Sequence, residues 1–289
     1  MTIESIADPE AMRLRSRAAR AAGRRVGFVP TMGCLHEGHA SLMRRARKDC
    51  SVTVASIFVN PAQFGPNEDF EQYPRDVRRD METLERAEVD VLFHPETSTI
   101  YPEGHGAQRT WVTVEGLSDV LCGASRPGHF RGVTTVVAKL FQIVEPDVAY
   151  FGRKDAQQAL LIRTMARELN MGVTIEICPT VREDDGLAMS SRNKYLTPAQ
   201  RAAAPVLYRA LGSASRAAAS GERSPQAILS RAWDVLAAEP LFDLEYLELV
   251  GTSNLRPIED PLTGEALLAV AGRIGATRLI DNVILAVKE

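Results

Sequence analysis

The sequence predicts a doubly wound α/β domain built on a parallel sheet, followed by a smaller α+β domain. Short β-branched apolar runs alternate with amphipathic stretches over roughly the first 180 residues. Two Ala-rich helical stretches then precede three strand-like runs. Alternating strands and helices are typical of a parallel sheet with helices on both faces, whereas helices followed by strands indicate a separate α+β unit. We therefore predict domains at residues 1–183 and 184–289, the smaller one acting as a lid.

The elements of the first domain follow from composition and spacing. Val26–Val29 and Ser51–Val59 are short and β-branched, as expected of strands buried on both faces. The pattern also predicts helices at His39–Cys50, Asp76–Glu88, Val133–Val144 and Gln157–Asn170, and strands at Val89–Phe93, Val148–Phe151 and Val173–Cys178. Within residues 76–88, Val77, Met81 and Leu84 have helical spacing and are expected on the apolar face. This alternation is that of a Rossmann-like fold, whose ligands bind at the carboxyl ends of the strands.

The second domain is predicted from a change in pattern after about residue 183. Its predicted helices are Pro198–Ala218 and Pro225–Ala238, and its predicted strands are Glu245–Val250, Ala266–Val270 and Thr277–Leu285. The small, polar segment Ser213–Ser224 indicates an exposed connection between the two helices. We therefore expect helices packed against a small sheet in this domain.

The composition excludes several classes of protein. With 34 Lys and Arg against 37 Asp and Glu, the net charge of −3 offers no basic excess for nucleic acid or an anionic membrane surface. No segment approaches the roughly 18 consecutive apolar residues of a membrane span. The four cysteines are scattered without a C-x-x-C pair, which argues against a zinc ribbon or a disulfide framework and for a reducing compartment. We expect a soluble, cytoplasmic protein.

The first candidate site is Pro30–His39 (PTMGCLHEGH), at the junction of the first predicted strand and helix. Such a junction is a phosphate site in parallel α/β folds, because the N–H groups and dipole of the helix N-terminus favour an anion. His36 and His39 would point at the anion, and Gly38 would allow close backbone approach. The segment matches neither the Walker-type loop nor the dinucleotide-binding glycine loop, and its histidines are not spaced as in a zinc-protease helix. An N-cap with two solvated histidines is the alternative.

Three further candidate segments follow predicted strands. Met189–Asn193 (MSSRN) offers two hydroxyls and a guanidinium, a donor set suited to phosphate oxygens. Phe151–Gln158 (FGRKDAQQ) offers Lys154 as a point charge, and Val59–Phe64 (VNPAQF) offers two amides for hydroxyls or a carboxylate. Their ordinary alternatives are a surface loop, an exposed Lys–Asp pair and a β-turn. With Pro30–His39, they predict candidate sites on four consecutive strand ends at one edge of the sheet.

The sequence closely resembles the pantoate–β-alanine ligase family of the nucleotidylyltransferase superfamily. Five motifs carry the resemblance, in this order: PTMG-x-LHEGH, FVNPAQF, RPGHFRGV, FG-x-KDAQQ and MSSRN. The H-x-G-H and S-S-R motifs occur across the superfamily, whereas FVNP-x-QF and RPGHF are much narrower. The resemblance covers nearly the whole chain. It implies an AMP-forming ligase of pantothenate and coenzyme A biosynthesis, in which the carboxylate of (R)-pantoate attacks ATP, diphosphate leaves, and β-alanine displaces AMP from pantoyl adenylate.

The resemblance also implies roles for individual residues. ATP would be bound by Met32, Gly33, His36, Gly38, His39, Gly152, Arg153, Lys154, Asp155, Val181, Met189, Ser190, Ser191 and Arg192. Gln63 and Gln158 would bind pantoate, and Gln63 would also lie near β-alanine. His36, His39, Lys154 and Arg192 would carry the catalysis, with His39 as the proton donor. Mg²⁺ would be bound largely through ATP, with no dedicated protein metal site, and the enzyme would be a homodimer.

The chemistry of the first step agrees with these implied roles. A carboxyl group with a pKa near 4 is already ionised at neutral pH, so the attacking pantoate needs no general base. What the step needs is in-line positioning and neutralisation of charge on the leaving diphosphate. The second step differs, because the ammonium group of β-alanine must lose a proton before it attacks.

Three residues depart from the family pattern. Glu is common in the family where this chain has Cys122 and Arg153, and a small or polar residue is usual at Cys34. The missing carboxylate at 122 leaves the ion-pair partner of Arg126 open. We expect Cys34 and Cys122 to make the site sensitive to thiol reagents. Cys34 lies next to a helix start and His36, a setting that lowers the pKa of a thiol. The alternative is that both thiols are buried and inert.

Two other functional classes remain open at this point. One is a different nucleotidylyltransferase that transfers a nucleotide to a phosphate-bearing acceptor, which would not account for FVNPAQF. The other is a nucleotide-binding or scaffold protein without turnover. Pantoate-dependent release of diphosphate distinguishes both from the ligase.

Overall fold

The computed structural model describes residues 3–66 and 68–287, which divide into two compact units. The first unit comprises the described residues up to Asp119, Gly123–Arg153 and Gln158–Pro179, and the second comprises Val120–Cys122, Lys154–Gln157 and the described residues from Thr180 onward. The main division therefore falls at residue 180, whereas the sequence analysis placed it after residue 183. Residues 1–2 and 288–289 of the predicted domains lie outside the described residues.

A six-stranded sheet forms the first unit, and every strand pair in it is parallel, which confirms the predicted doubly wound α/β fold. Its strands are β1 (Glu4–Ile6), β2 (Val26–Thr31), β3 (Val52–Ile57), β4 (Val91–Phe93), β5 (Val148–Gly152) and β6 (Thr174–Cys178). Their spatial order is β1-β4-β3-β2-β5-β6. Because all strands run the same way, their carboxyl ends share one edge, where β3, β2 and β5 are neighbours.

Seven helices lie between these strands or follow them in the described part of the chain. They are α1 (Pro9–Ala21), α2 (Glu37–Asp49), α3 (Val77–Arg86), α4 (Thr97–Ile100), α5 (Cys122–Ser125), α6 (His129–Val144) and α7 (Ala156–Glu168). The sequence analysis did not predict β1 or α1. The start signal of α1 was nevertheless present, because Asp8 accepts the backbone N–H of Ala11 at 2.8 Å and Pro9 is the first helical residue.

Helix α3 turns a different face to the core than its apolar spacing predicts. Val77 is 45% exposed, so its expected burial is wrong. The buried residues of the helix are Asp80, Thr83 and Leu84, and Met81 is partly buried against the core. The helix is therefore rotated so that a carboxylate faces inward at the position where the sequence predicts only apolar side chains.

The second unit combines helices with an antiparallel sheet, as predicted. Its helices are α8 (Pro198–Ala203), α9 (Val206–Ala219) and α10 (Pro225–Ala237), and its strands, in spatial order, are β7 (Phe242–Gly251), β8 (Gly264–Ile274) and β9 (Thr277–Val287). The single helix predicted at Pro198–Ala218 is two helices. Pro205 lies between them, and proline supplies no N–H to continue the hydrogen-bond ladder. Leu207, Ile228 and Leu268 belong to the core of this unit.

None of the helices within residues 3–66 and 68–287 is long and apolar enough to cross a membrane. In the same residues, no three His, Cys, Asp or Glu side chains converge on a common point as metal ligands.

Candidate active site

The turn between β2 and α2 brings the two predicted histidines together at the start of a helix. His36 is the N-cap residue of α2, and its Nδ1 accepts the backbone N–H of Gly38 at 3.1 Å. His39 Nδ1 accepts the backbone N–H of His36 at 3.3 Å, which completes a reciprocal capping box. The ring centroids lie 4.1 Å apart, and both side chains are half-buried. The N-cap that the sequence analysis gave as the alternative is therefore present, built from half-buried histidines instead of the usual hydroxyl and carboxylate.

These two contacts indicate which ring nitrogen of each histidine accepts. A backbone N–H only donates, so Nδ1 is the acceptor in both rings. Nε2 is then the nitrogen through which His36 and His39 can donate, a role that suits phosphate oxygens.

The backbone amides that precede α2 are already accepted within the protein. Gly33 N–H is accepted by Thr31 Oγ1 at 3.1 Å, and the N–H groups of Cys34 and Leu35 are accepted by Asp80. These three residues lie before the N-cap His36, so they are not the helix N-terminal amides of the expected anion site, which stays a prediction. The histidine side chains are further candidate donors for an anion at this turn.

The two amides that follow β3 have separate roles. Asn60 is 1% exposed; its Nδ2 donates to Gln63 Oε1 at 3.0 Å and to the carbonyl of Gly132 at 3.2 Å, and its Oδ1 accepts from Tyr101 Oη at 2.8 Å. Gln63 Nε2 donates to Met32 Sδ at 3.1 Å. Asn60 is therefore a buried support, and the expectation that both amides recognise a ligand is wrong. Gln63 is the amide that can do so.

Helix α6 packs tightly on the segment that carries Gln63. A Cβ atom on Gly132 would lie 2.2 Å from the carbonyl oxygen of Ala62, so only glycine allows this approach. At the start of the same helix, His129 Nδ1 lies 2.8 Å from the carbonyl oxygen of Gln63, and Arg126 Nη1 lies 2.9 Å from His129 Nε2. Since the guanidinium only donates, Nε2 accepts and Nδ1–H donates to Gln63. The RPGHFRGV motif thus fixes the backbone of Gln63.

The carboxylate partner of Arg126 is Glu68, with two contacts of 2.6 Å. Burial opposes ionisation of Glu68, but the hydrogen bonds and positive charge of Arg126 outweigh it, so the pKa of Glu68 lies below its usual value. The sequence analysis left this partner open because Cys122 replaces a carboxylate near Arg126. No local signal pointed to Glu68, which lies 58 residues earlier in the chain.

Residues 154–157, which follow β5, are bonded to other segments of the second unit. Asn282 Nδ2 on β9 donates to the carbonyl of Lys154 at 2.9 Å. Gln157 is 6% exposed; its Oε1 accepts the N–H of Cys122 at 3.1 Å and its Nε2 donates to the carbonyl of Val120 at 2.7 Å. The Lys154 side chain is 19% exposed, with Nζ at 3.9 Å from Asp155 Oδ2. This start of α7 is fixed by neutral amides around a cationic side chain.

Cys122 is the buried member of a half-buried polar cluster, which the sequence did not reveal. Its Sγ is 3.0 Å from Tyr246 Oη and 3.4 Å from Arg278 Nη2, and Arg278 also pairs with Glu245 at 2.6 Å. Burial, the largest cause, raises the pKa of Tyr246. Burial acts against the charge of Arg278, but its hydrogen bond to Glu245 keeps its pKa above the usual value. Arg278 is therefore a half-buried cation whose charge is met by Glu245.

Both cysteines that depart from the family pattern are buried. Cys34 is 4% exposed and Cys122 is 8% exposed. This burial favours the alternative of inert thiols over the expected sensitivity to thiol reagents.

The segment Met189–Arg192 belongs to the second unit, so it is not a fourth strand end of the first unit's sheet as predicted. The backbone N–H of Met189 donates to the carbonyl of Val181 at 3.0 Å, which brings together two residues assigned to ATP. Ser191–Tyr195 forms a 3₁₀ helix, and Ser190 Oγ caps it by accepting the N–H of Arg192 at 3.3 Å. Three of the four predicted strand ends, after β3, β2 and β5, are confirmed as neighbours.

Comparison with known proteins gives consistent matches over nearly the whole chain. The model of the pantoate-beta-alanine ligase family matches residues 4–284. A pantothenate synthetase of Pelotomaculum thermopropionicum is 55% identical over 269 residues, 93% of this chain and 94% of that protein. One from Heliobacterium modesticaldum is 54% identical over 285 residues, 99% of each chain.

Two solved structures are similar in fold as well as sequence. The crystal structure of pantothenate synthetase from Thermus thermophilus has a TM-score of 0.90 and 48% identity, covering 97% of this chain and 99% of that one. The pantoate-beta-alanine ligase from Francisella tularensis, complexed with beta-gamma ATP and beta-alanine, has a TM-score of 0.79 and 33% identity, covering 98% of each chain.

Proposed function

The chain belongs to the pantoate-beta-alanine ligase family, and from this premise we propose that it condenses (R)-pantoate with β-alanine at the expense of ATP. The products are pantothenate, AMP and diphosphate, and pantoyl adenylate is the intermediate. The observation that carries the proposal is the histidine pair at the start of α2, whose Nδ1 contacts make both Nε2 atoms donors. Such donors suit the leaving diphosphate of an adenylation step.

In the first step, a carboxylate oxygen of pantoate bonds to the α-phosphorus of ATP. The bond from that phosphorus to the bridging oxygen breaks, and diphosphate leaves with the electron pair. His36, His39, Lys154 and Arg192 donate hydrogen bonds to the phosphate oxygens and stabilise the charge that develops there. His39 is assigned as the proton donor, and it would act through Nε2, since its Nδ1 accepts the N–H of His36.

The remaining ATP contacts follow from the family resemblance. They involve Met32, Gly33, Gly38, the segment Gly152–Asp155, Val181, Met189, Ser190 and Ser191. Two observations support part of this set: Val181 and Met189 share a backbone hydrogen bond, and nothing lies within 4 Å of the position that a Cβ of Gly152 would occupy. The open side of Gly152 leaves room for a ligand against the backbone.

Pantoate is assigned to Gln63 and Gln158, and β-alanine also to Gln63. The Nε2 of Gln63 donates to Met32 Sδ, and thioether sulfur is a weak acceptor that a hydroxyl or carboxylate oxygen replaces with gain. In the second step, the ammonium of β-alanine loses one proton to solvent and the resulting amine bonds to the acyl carbon of the adenylate. The nitrogen then loses a second proton to become the amide, and AMP leaves with the electrons of the carbon–oxygen bond. Neutral amides suit both steps because they bind oxygens without adding charge.

Mg²⁺ is proposed to enter with ATP. The side chains assigned to the phosphates are imidazole N–H, ammonium, guanidinium and hydroxyl groups, all hydrogen-bond donors. This donor set fits phosphate oxygens and leaves the ion to the oxygens of the nucleotide and to water. When bound, the ion supplies further charge neutralisation on the phosphates. We place the enzyme in the cytoplasm as a homodimer, on the family resemblance.

A product assay with defined omissions tests this function. ATP and pantoate alone should release diphosphate without free AMP, and AMP and pantothenate should appear when β-alanine is added. Formation of ADP, or diphosphate release that does not depend on pantoate, would contradict the proposal.

A further inference from the structure

A buried carboxylate holds the turn that leads to the two histidines. Asp80 on α3 is 2% exposed; its Oδ2 accepts the N–H of Cys34 at 2.9 Å and its Oδ1 accepts the N–H of Leu35 at 2.7 Å. From the other end of the turn, Thr31 Oγ1 accepts the N–H of Gly33 at 3.1 Å and donates to the carbonyl of Ser56 at 2.7 Å. Three successive amides are therefore held by two side chains.

The conformation that these contacts hold is an unusual one. Gly33 has φ +82° and Cys34 has φ +51°, so two consecutive residues are in the left-handed region, and the second is not glycine. A non-glycine residue in that region costs free energy and persists where its surroundings fix it. A Cβ atom on Gly33 would lie 2.9 Å from Asp80 Oδ2, so carboxylate and turn are in close contact. The turn is thus shaped by Asp80.

Helix α3 accommodates this carboxylate at the expense of an apolar residue. Its Asp80 is buried while its Val77 is 45% exposed, the reverse of what hydrophobicity favours. Burying a carboxylate is costly unless hydrogen bonds to the charged form compensate for lost water. A contact used only for packing would be better served by an apolar side chain, so the arrangement indicates a demand on the geometry of the turn.

We propose that Asp80, assisted by Thr31, is a positioning residue for the ATP-consuming half of the reaction. This inference rests on the proposed function. Leu35 directly precedes His36, so the position of the turn sets where His36 and His39 begin α2. The histidines are assigned to the diphosphate that leaves in the first step. The second step contains no diphosphate, and it should therefore depend little on Asp80.

Two half-reactions measured separately test this proposal. Pantoate-dependent exchange of labelled diphosphate into ATP reports the first step, and reaction of added pantoyl adenylate with β-alanine reports the second. In Asp80→Asn one carboxylate oxygen becomes an amide nitrogen, so one backbone N–H loses its acceptor without a change in side-chain size. We expect exchange to fall roughly tenfold to hundredfold, as for loss of one hydrogen bond to a charged group, and aminolysis to stay within about threefold.

Matched variants separate positioning from general damage. Asp76→Asn alters the N-cap of the same helix, where Asp76 accepts the N–H of Arg79 at 3.1 Å, and should leave both half-reactions within about twofold. Thr31→Val keeps the shape of the side chain but removes the hydroxyl that accepts the N–H of Gly33. If Asp80→Asn does not fold, this variant should reproduce the selective loss of exchange. Equal losses in both half-reactions, or no loss in exchange, would overturn the proposal for Asp80. Absence of pantoate-dependent exchange in the parent enzyme would instead overturn the proposed function.

Discussion

The turn after β2 is held by a buried carboxyl group, whereas the turn after β5 is held by neutral amides. Asp80 accepts two backbone N–H groups of the first turn, and Asn282 donates to the backbone carbonyl of Lys154 in the second. Asp80 is an acceptor for backbone N–H groups, and Asn282 is a donor to a backbone carbonyl, so each support matches the backbone group that it binds. The side chains that we propose to meet ATP at these turns differ as well: imidazoles at His36 and His39, and an ammonium group at Lys154.

The difference shows two ways of fixing a turn at the end of a strand. The N–H groups of Gly33, Cys34 and Leu35 are accepted within the protein, so the donors that we propose for an anion at the first turn are imidazole N–H groups. A turn fixed through its carbonyl keeps a lysine as a point charge. The predictions below test this division, beginning with the side chains that are proposed to meet ATP.

Removal of either reactive side chain should have the largest effect. Lys154→Ala and His39→Ala should each lower kcat/KM by roughly 100- to 1,000-fold, the effect of losing one preorganised donor worth about 2.7–4 kcal/mol in the transition state. Steady-state kinetics with all three substrates measures it. Lys48→Ala, an exposed lysine on α2, is the control and should remain near parental activity. Values within tenfold of the parent for Lys154→Ala or His39→Ala would rule out their roles.

Removal of the side-chain amides assigned to pantoate should have the next largest effect on activity. Gln63→Ala and Gln158→Ala should raise the KM for pantoate by an amount corresponding to roughly 1–3 kcal/mol, because a substrate oxygen loses its donor. ATP affinity, measured by equilibrium binding, should change little. Gln142→Ala on the exposed face of α6 serves as the control. If ATP affinity fell as much as pantoate affinity, the assignment to pantoate would be wrong.

Loss of Asn282, the neutral support of the second turn, should lower activity less than loss of the Lys154 side chain. Asn282→Ala removes one neutral hydrogen bond to the carbonyl of Lys154, worth about 0.5–1.5 kcal/mol. We expect kcat/KM for ATP to fall by roughly twofold to tenfold, with Asn254→Ala, an exposed asparagine in the same unit, close to the parent. A loss as large as that of Lys154→Ala would mean that Asn282 itself contacts a substrate.

The Glu68–Arg126 pair near Gln63 predicts a stability effect that depends on pH. Because the folded-state pKa of Glu68 is lowered, its stabilising contribution is present above the unfolded-state value of 4.5 and is lost as pH falls through the folded-state pKa. Glu68→Gln should therefore lower Tm at pH 7, and the difference from the parent should shrink as the pH falls below that value. Glu71→Gln is the exposed control. A Tm difference that does not change with pH would contradict this account.

The smallest effect is expected from thiol reagents. Cys34 lies in the first turn and Cys122 beside the second, and both are buried. A small maleimide should label neither residue in the native enzyme, with or without ATP and pantoate, and activity should persist. Labelling at Cys34 or Cys122 that substrates prevent, located by peptide mass, would restore the original expectation of a thiol-sensitive site.

The sequence predicted the parts of the molecule that depend on local patterns. The parallel sheet followed from β-branched runs, and the motif segments of the first unit were correctly predicted to follow β2, β3 and β5. What it missed depends on contacts between distant residues. Asp80 lies 46 residues from Cys34, and nothing in the apolar spacing of α3 indicates that the helix turns a carboxylate inward. Likewise, Asn60 matched a ligand-binding amide until its buried partners were known.

Transfer of oxygen from pantoate to AMP tests the central claim, which is adenylation of the pantoate carboxylate. With both carboxylate oxygens of pantoate labelled with ¹⁸O, attack on the α-phosphorus followed by aminolysis should leave one ¹⁸O in AMP and the other in the amide carbonyl of pantothenate. Mass spectrometry of the two products measures this directly. AMP without ¹⁸O, or the label in inorganic phosphate, would contradict the account.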